Sequence, residues 1–340
     1  MTNRGIRRIG LSYVIGFGPK TSVEMVQAAL FAEKCRFHSV LVPEHYYDRD
    51  APSILGSISQ STSRIMIGTG VINPFTRYPS LIAMTAATLS ELTRGRFFMG
   101  LGSGGVIGSL EHGIPGEFVD LKFSHPLGHM EEMVSVLRRL LLGERVTFAG
   151  RFYNLDGVKI NFDPIPAKIP IYFGQQGPNM MKLAGRIADG VLITLCCTVP
   201  YVRKVIELVE TSRRSSGRAA HSIDFAARII TSISSDEKKA VKRAKPLVGR
   251  VFIHPGARPV AEASGFELDS VLLKKAIDSG DEIGLDRCLP DEVVEMTTAC
   301  GTKSQVVERL AEYEKAGVTL PLIVPIGRDY RQTIEAVSPA

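Results

Sequence analysis

The stretch Ile67–Gly104, IGTGVINPFTRYPSLIAMTAATLSELTRGRFFMGLGSG, holds one complete period of the chain's rhythm. An apolar run at about Ile65–Gly70 stops at glycines, a polar turn with Asn73 and Pro74 follows, and Tyr78–Leu92 repeats apolar residues at helical spacing. A second apolar run, Arg96–Leu101, ends in another glycine cluster. Strand, helix and strand at this spacing make a parallel βα unit, because parallel neighbours need a crossover long enough to hold a helix.

The same rhythm continues outward in both directions. Strands are expected at about Ile9–Val14, Ser39–Pro43, Pro170–Phe173, Gly190–Thr194, Ile223–Ile233 and Leu320–Pro325, which with the two above makes eight. Amphipathic helices fall between them, such as Ser22–Cys35 with Val23, Val26, Ala29 and Leu30 as its expected apolar face. Eight such units close most naturally into a (β/α)8 TIM barrel of the α/β class. Two stretches interrupt the rhythm: about 144–168 reads as short strands with Gly and Pro turns, and about 246–300 as helices and loops. A barrel takes about 250 residues, so in a chain of 340 residues these insertions account for the surplus, and a single domain over 1–340 is expected.

Composition narrows the function classes. With 44% hydrophobic and 22% charged residues the chain is ordinary globular protein. No run approaches the ~18 uncharged apolar residues of a membrane span, and no small-residue cleavage site follows the basic N-terminus. Five cysteines without a C-x-x-C pair suit reduced thiols in the cytoplasm. The charge of +6 forms no basic tract interleaved with aromatics, so nucleic acid is not expected as a partner. An anionic small ligand fits better.

In an eight-stranded barrel the active site lies at the C-terminal strand ends. After the second strand, Pro43-Glu44-His45-Tyr46-Tyr47-Asp48-Arg49-Asp50 offers a carboxylate and an imidazole suited to proton transfer, and equally suits a loop of helix caps. Glu44 and His45 alternate in direction, so one of the two is expected to face the mouth. After the third, Thr69, Gly70, Val71 and Asn73 place glycine beside a β-branched residue, either an ordinary turn or a backbone that a flat ligand approaches closely. After the fourth, Gly100-Leu101-Gly102-Ser103-Gly104-Gly105 lacks the Lys-Ser/Thr of a Walker loop and the remainder of a dinucleotide fingerprint. It suits a ring plane lying on backbone better than a cradled phosphate. After the fifth, Gly174-Gln175-Gln176-Gly177-Pro178 opens a helix at about Met180–Ile187, either a plain βα loop or, through the free N–H groups of the helix start, an anion site, the latter the better match.

Other clusters carry less. His125 and His129 have the spacing of a zinc pair but no third ligand, so no metal is expected. Cys196-Cys197 reads as small residues packing a barrel rim, and Asp236–Lys245 as a solvated helix ordered by its dipole.

Taken in order, these motifs resemble the bacterial-luciferase-like superfamily of flavin- and deazaflavin-dependent enzymes, and within it the F420-dependent methylenetetrahydromethanopterin reductase family. The matching stretches are VPEHYYDRD at Val42–Asp50, the quoted Ile67–Gly104, IPIYFGQQGPNMMKLAGRIADGVLI at Ile169–Ile193 and GTKSQVVERLAEYEKAGVTLPLIVPIG at Gly301–Gly327. The resemblance implies a barrel with insertions, coenzyme F420 as cofactor with FMN as the alternative, and a non-prolyl cis peptide at Gly70–Val71 beneath the ring. It implies cofactor contacts at Thr69, Gly70, Val71, Asn73, Gly102, Gly104, Gly174, Gln175, Gln176, Gly177 and Pro178, with the coenzyme's phosphate near Gly174–Pro178. The implied reaction is reversible hydride transfer between reduced F420 and methylene-tetrahydromethanopterin or a related tetrahydropterin, with Glu44 or His45 handling protons. A homodimer or higher homo-oligomer is implied as well.

Two departures from the family pattern stand out. Gly105 occupies a position where related enzymes commonly carry an acid, and Glu44 replaces the acid of an Asp-His pair with a longer one. Three other readings therefore remain: an F420 enzyme acting on an alcohol, sugar phosphate or lipid ketone, an FMN-dependent monooxygenase, and a binding protein that has lost its chemistry.

Overall fold

Strands covered on both faces read as near-continuous apolar runs instead of alternating ones. The computed structural model describes residues 8–14, 16–44, 48–102, 125–163, 168–174, 177–327 and 330–339. It forms the eight expected strands as β1 (Gly10–Ser12), β2 (Ser39–Val42), β3 (Met66–Thr69), β4 (Phe97–Leu101), β7 (Ile171–Phe173), β8 (Gly190–Ile193), β9 (Asp224–Ile233) and β11 (Leu320–Pro325). The labels β5 (Val146–Ala149), β6 (Asn154–Val158) and β10 (Ala299–Gly301) fall to the insertions. The main sheet runs β10-β9-β11-β1-β2-β3-β4-β7-β8, with β8 also paired to β9. The fold is a (β/α)8 TIM barrel, with β10 added beside the C-terminal end of β9.

The first insertion is an antiparallel hairpin, Phe148 opposite Leu155, as expected. In the second, the helices Arg258–Ser264, Ser270–Ser279, Glu282–Cys288 and Asp291–Thr297 precede β10, a strand beyond the eight expected and their insertions. Three residues are too few to show a period of two, and β10 exists because Ala299–Gly301 extends the ladder of Thr231–Ile233.

Two other expectations change. Helix α1 (Ser22–Lys34) starts on a capping box between Thr21 and Glu24, but its buried face is Met25, Ala28, Ala29 and Ala32, while Val23 is 65% exposed. Three small alanines let a helix lie close against its neighbours, which outweighs the larger side chains one step around. Lys245, expected on a solvated helix, is buried in the helix Glu237–Phe252, and its Nζ lies 2.8 Å from Asp286 and 2.6 Å from Asp291. An ammonium loses little by burial when two carboxylates receive it.

The chain divides into two compact units. One comprises Ser39–Leu192 and Val209–Ile223, the other Met1–His38, Ile193–Leu208 and Asp224–Ala340. The first has a core of Leu41, Ile67, Phe97, Leu101 and Phe173 with Leu55, Ile58, Ile82 and Leu137 from its helices. The second packs Ile9, Leu11, Ile230, Leu322 and Ile323 with Val306, Leu310 and Tyr313. Burying each such side chain contributes about 1.5–3 kcal/mol. Cys196 and Cys197 are fully buried in this second unit, where Tyr313 Oη donates to the Cys197 carbonyl at 2.5 Å. Burial pushes the Cys197 thiol up to about 12, so it stays protonated and packs as a small apolar group. Among the described residues no helix is long and apolar enough to cross a membrane.

Candidate functional site

Every described residue of the site lies in the first unit, at the ends of β2, β3, β4 and β7. Thr69 closes β3 fully buried, and its Oγ1 both donates to the Gly100 carbonyl and accepts from the Gly100 N–H, at 2.8 Å each. That hydroxyl pins β3 to β4.

The Gly70–Val71 peptide is cis, where the resemblance placed it. Around it the strand ends are stitched by backbone bonds: Gly70 N to Val42 O at 2.9 Å, Glu44 N to Val71 O at 3.2 Å, and Ile72 N to Gly100 O at 2.9 Å. Gly102 N reaches Ile72 O at 3.0 Å and Gly174 N reaches Leu101 O at 2.8 Å. The loop after β3 thus lies over the ends of its neighbours, with Val71 at its centre.

Gly102 and Gly174 flank that valine. A Cβ on Gly102 would stand 2.5 Å from Val71 Cγ2, and one on Gly174 would stand 2.5 Å from Val71 Cγ1. Contacts that short do not occur between carbon atoms, so the isopropyl group fits only because both residues are glycine. The result is a shelf of backbone around one part-exposed apolar side chain.

Asn73 turns inward on its own loop: its Oδ1 accepts from Phe75 N at 2.8 Å, an Asx turn of the usual kind. The loop is braced from outside by the β5–β6 hairpin. Tyr153 Oη donates to the Pro74 carbonyl at 3.2 Å, and Tyr78 Oη accepts from Asn154 N at 3.1 Å. His129 completes the brace, its ring 4.9 Å from Phe75, 3.9 Å from Phe152 and 5.6 Å from Tyr153. Its ring packs among these aromatic side chains.

Glu44, the first side chain after Pro43, meets a partner that sequence reasoning missed. Arg77 Nε lies 3.2 Å from both Glu44 oxygens, and Nη2 lies 2.5 Å from Oε1 and 2.9 Å from Asp50 Oδ1. The Glu44 and Arg77 side chains are 11% and 21% exposed, so the pair is largely screened from water. Its hydrogen bonds to Glu44 raise the Arg77 pKa further. Asp50 caps the helix Ala51–Ser61 through Ser53 N at 2.8 Å. Burial works against the Asp50 charge, but its bonds to Ser53 and then Arg77 outweigh burial and hold it below the ordinary carboxylate value. A faint signal for this cluster exists in the sequence: Arg77 is the single charged residue between Thr69 and Glu91.

The helix Pro178–Ile187 begins at Gly177, which makes no side-chain cap, and Pro178 brings no N–H of its own. The first-turn N–H groups of exposed Asn179 and of Met180 point out with the positive end of the helix behind them. This is the chemistry of an oxyanion site. Of the remaining expected residues, His45, Gly104, Gln175 and Gln176 lie outside the described residues, as does Gly105.

Residues 13–320 match the family model described as luciferase-like monooxygenase. The 5,10-methylenetetrahydromethanopterin reductase of Archaeoglobus fulgidus is 32% identical over 90% of this chain and 91% of its own. The F420-dependent glucose-6-phosphate dehydrogenase of Mycolicibacterium smegmatis is 28% identical over 94% of this chain and 92% of its own. The solved coenzyme F420 dependent tetrahydromethanopterin reductase of Methanopyrus kandleri superposes with a TM-score of 0.85 at 27% identity, covering 97% of each chain. The resemblance read from the strand-end motifs holds, and the chain belongs to the luciferase-like monooxygenase family.

Proposed function

We propose that this chain is an F420-dependent oxidoreductase that moves a hydride reversibly between reduced F420 and methylene-tetrahydromethanopterin or a related tetrahydropterin. The observation that carries the reading is the 32% identity with a reductase of that name along 90% of this chain. The residues present fit the coenzyme. A flat ring needs bare backbone, and Gly102 and Gly174 keep it bare beside Val71; a phosphodiester needs an uncapped helix start, and Gly177-Pro178 is one. When bound, a deazaflavin supplies hydride chemistry from a carbon that replaces the flavin N5.

The chain's own residues then have distinct tasks. Gly70, Val71, Gly102 and Gly174 hold the ring plane, with Gly104 assigned to the same surface. Gly177 and Pro178, with the amides of Gln175 and Gln176, receive the phosphate. Thr69 and Asn73 fix the loop that presents Val71, so their contribution to binding is indirect. Glu44 has its carboxylate oxygens committed to Arg77; it acts as a fixed, oriented anion, and His45 is left to take or give the proton when the substrate's ring opens. Orientation and exclusion of water account for the rest of the catalysis.

The same proposal includes one domain over 1–340, a cytoplasmic setting that suits five free thiols, and a homodimer or higher homo-oligomer. Leu81, Met84 and Leu92 of the helix Pro79–Thr93, at 39%, 50% and 42% exposure, give self-association an apolar surface. The relative from Mycolicibacterium keeps one alternative in view, F420 chemistry on a sugar phosphate or other alcohol. Steady-state turnover decides between them. F420-dependent turnover with methylene-tetrahydromethanopterin supports the reading, and turnover with glucose 6-phosphate but not the pterin replaces it with the alternative.

A further inference from the structure

Arg228 lies on β9 level with Leu322 of β11, which is level with Gly10 of β1. Gly10 has no side chain to obstruct the long arginine, whose Nε donates to Ser12 Oγ and whose Nη2 donates to the Tyr13 carbonyl, both at 3.1 Å. The side chain therefore runs from the level of Gly10 toward the C-terminal end of β1, the end at which barrels bind their ligands.

Arg77, Arg138, Arg213 and Arg309 each lie against a carboxylate. Arg228 has none among the described residues, and burial alone acts on it, lowering its pKa to about 10. Two of a guanidinium's five donors are used by Ser12 and Tyr13. Ser12, fully buried, accepts from Arg228 and keeps its own O–H for a further partner. What remains is a set of donors around one positive charge, with some of the arginine's surface still accessible.

A buried charge is costly unless something opposite compensates it. A planar fork beside a hydroxyl is matched best by an oxyanion that it can grip with two parallel bonds. We propose that Arg228 and Ser12 form a binding site for an oxyanion, a carboxylate or phosphate group of a small ligand. The site is independent of the coenzyme reading, because it requires only the charge and the donors.

The test uses the full chain in chloride buffer at fixed ionic strength, titrated calorimetrically with inorganic phosphate, acetate and benzoate, with thermal unfolding in parallel. The wild type is expected to bind at least one probe and to gain Tm from it. Arg228→Gln is expected to lose at least tenfold in affinity, Arg228→Lys several-fold, and ligand-free Arg228→Gln to be no less stable than the wild type. A preference for phosphate assigns the site to a phosphate group, and a preference for acetate or benzoate to a carboxylate. Equal probe affinity in wild type and variants overturns the proposal, as does a lower Tm of Arg228→Gln with affinity unchanged. Should Arg228→Gln fail to fold, Ser12→Ala takes its place: a several-fold loss of affinity is expected, and an unchanged affinity contradicts the site.

Discussion

Arg77 grips both carboxylate oxygens of Glu44, with Nε 3.2 Å from each and Nη2 2.5 Å from one of them. The two residues are 33 positions apart, and the parallel pairing of β2 with β3 brings their loops together. Removing the guanidinium strands a carboxylate that is only 11% exposed. Arg77→Ala is therefore expected to cost about 2–4 kcal/mol in urea unfolding, and Arg77→Lys to recover only part of it, since an ammonium cannot bridge two oxygens as the planar fork does. An unchanged urea midpoint for Arg77→Ala would show that the pair carries no stability.

The same pairing predicts how proton handling divides. With Glu44 acting as a fixed anion, Glu44→Gln is expected to lower kcat by roughly ten- to a hundredfold, about 1.4–2.7 kcal/mol, while the pH profile keeps its shape. His45→Gln is expected to remove a limb of that profile. The pH dependence of kcat for both variants checks this, and loss of the limb in Glu44→Gln would return the proton to Glu44.

Val71 and its two glycines give a prediction with its own control. Gly102→Ala puts a methyl 2.5 Å from Val71 Cγ2, so it is expected to lower stability by about 1–3 kcal/mol and to weaken F420 binding. Val71→Ala relieves the part of the clash made by Cγ2, while the Gly174 carbonyl still stands 2.8 Å from the new methyl, and the double variant is expected to be more stable than Gly102→Ala alone. A fluorescence titration and thermal melts of the three variants form the cycle. Strict additivity would mean the contact does not matter.

His38 predicts an acid limit to stability. Burial, and then the nearby charge of Arg8, lower its pKa to about 4, although Asp224 acts in the opposite direction. A histidine in the unfolded chain titrates near 6.5, so between these values the unfolded state takes up a proton that the native state refuses. Stability from this group is fully present above about pH 6.5 and declines as pH falls toward 4. The unfolding free energy from urea titrations is expected to fall, between pH 7.5 and 4.5, by about 2 kcal/mol more in the wild type than in His38→Gln. Parallel curves would contradict the assignment.

How far the sequence can be read depends on distance along the chain. The eight strands are legible because each is an apolar-rich run bounded by turn residues, glycine or proline in most and Ser234-Ser235-Asp236 after β9, a signal contained within about ten residues. The uncapped start at Gly177-Pro178 is legible for the same local reason. The buried face of α1 is not, because alanines carry little hydrophobic signal yet decide how closely a helix can pack. The tasks of Thr69 Oγ1, which pins β3 to β4 through Gly100, and of Asn73 Oδ1, which accepts from Phe75 N, are not legible from their position at the strand end. Arg77, Lys245 and Arg228 depend on partners 33, 41 and 216 residues away, and no local pattern announces such pairs.

In the proposed function, the bare backbone around Val71 and the helix start at Gly177 receive a deazaflavin. A difference-spectrum titration of the purified protein with F420 and, separately, with FMN tests it most directly. A saturable perturbation of the F420 spectrum is expected, weakened at least tenfold in Gly174→Ala, with no comparable response to FMN. Saturable FMN binding with no response to F420 would contradict it.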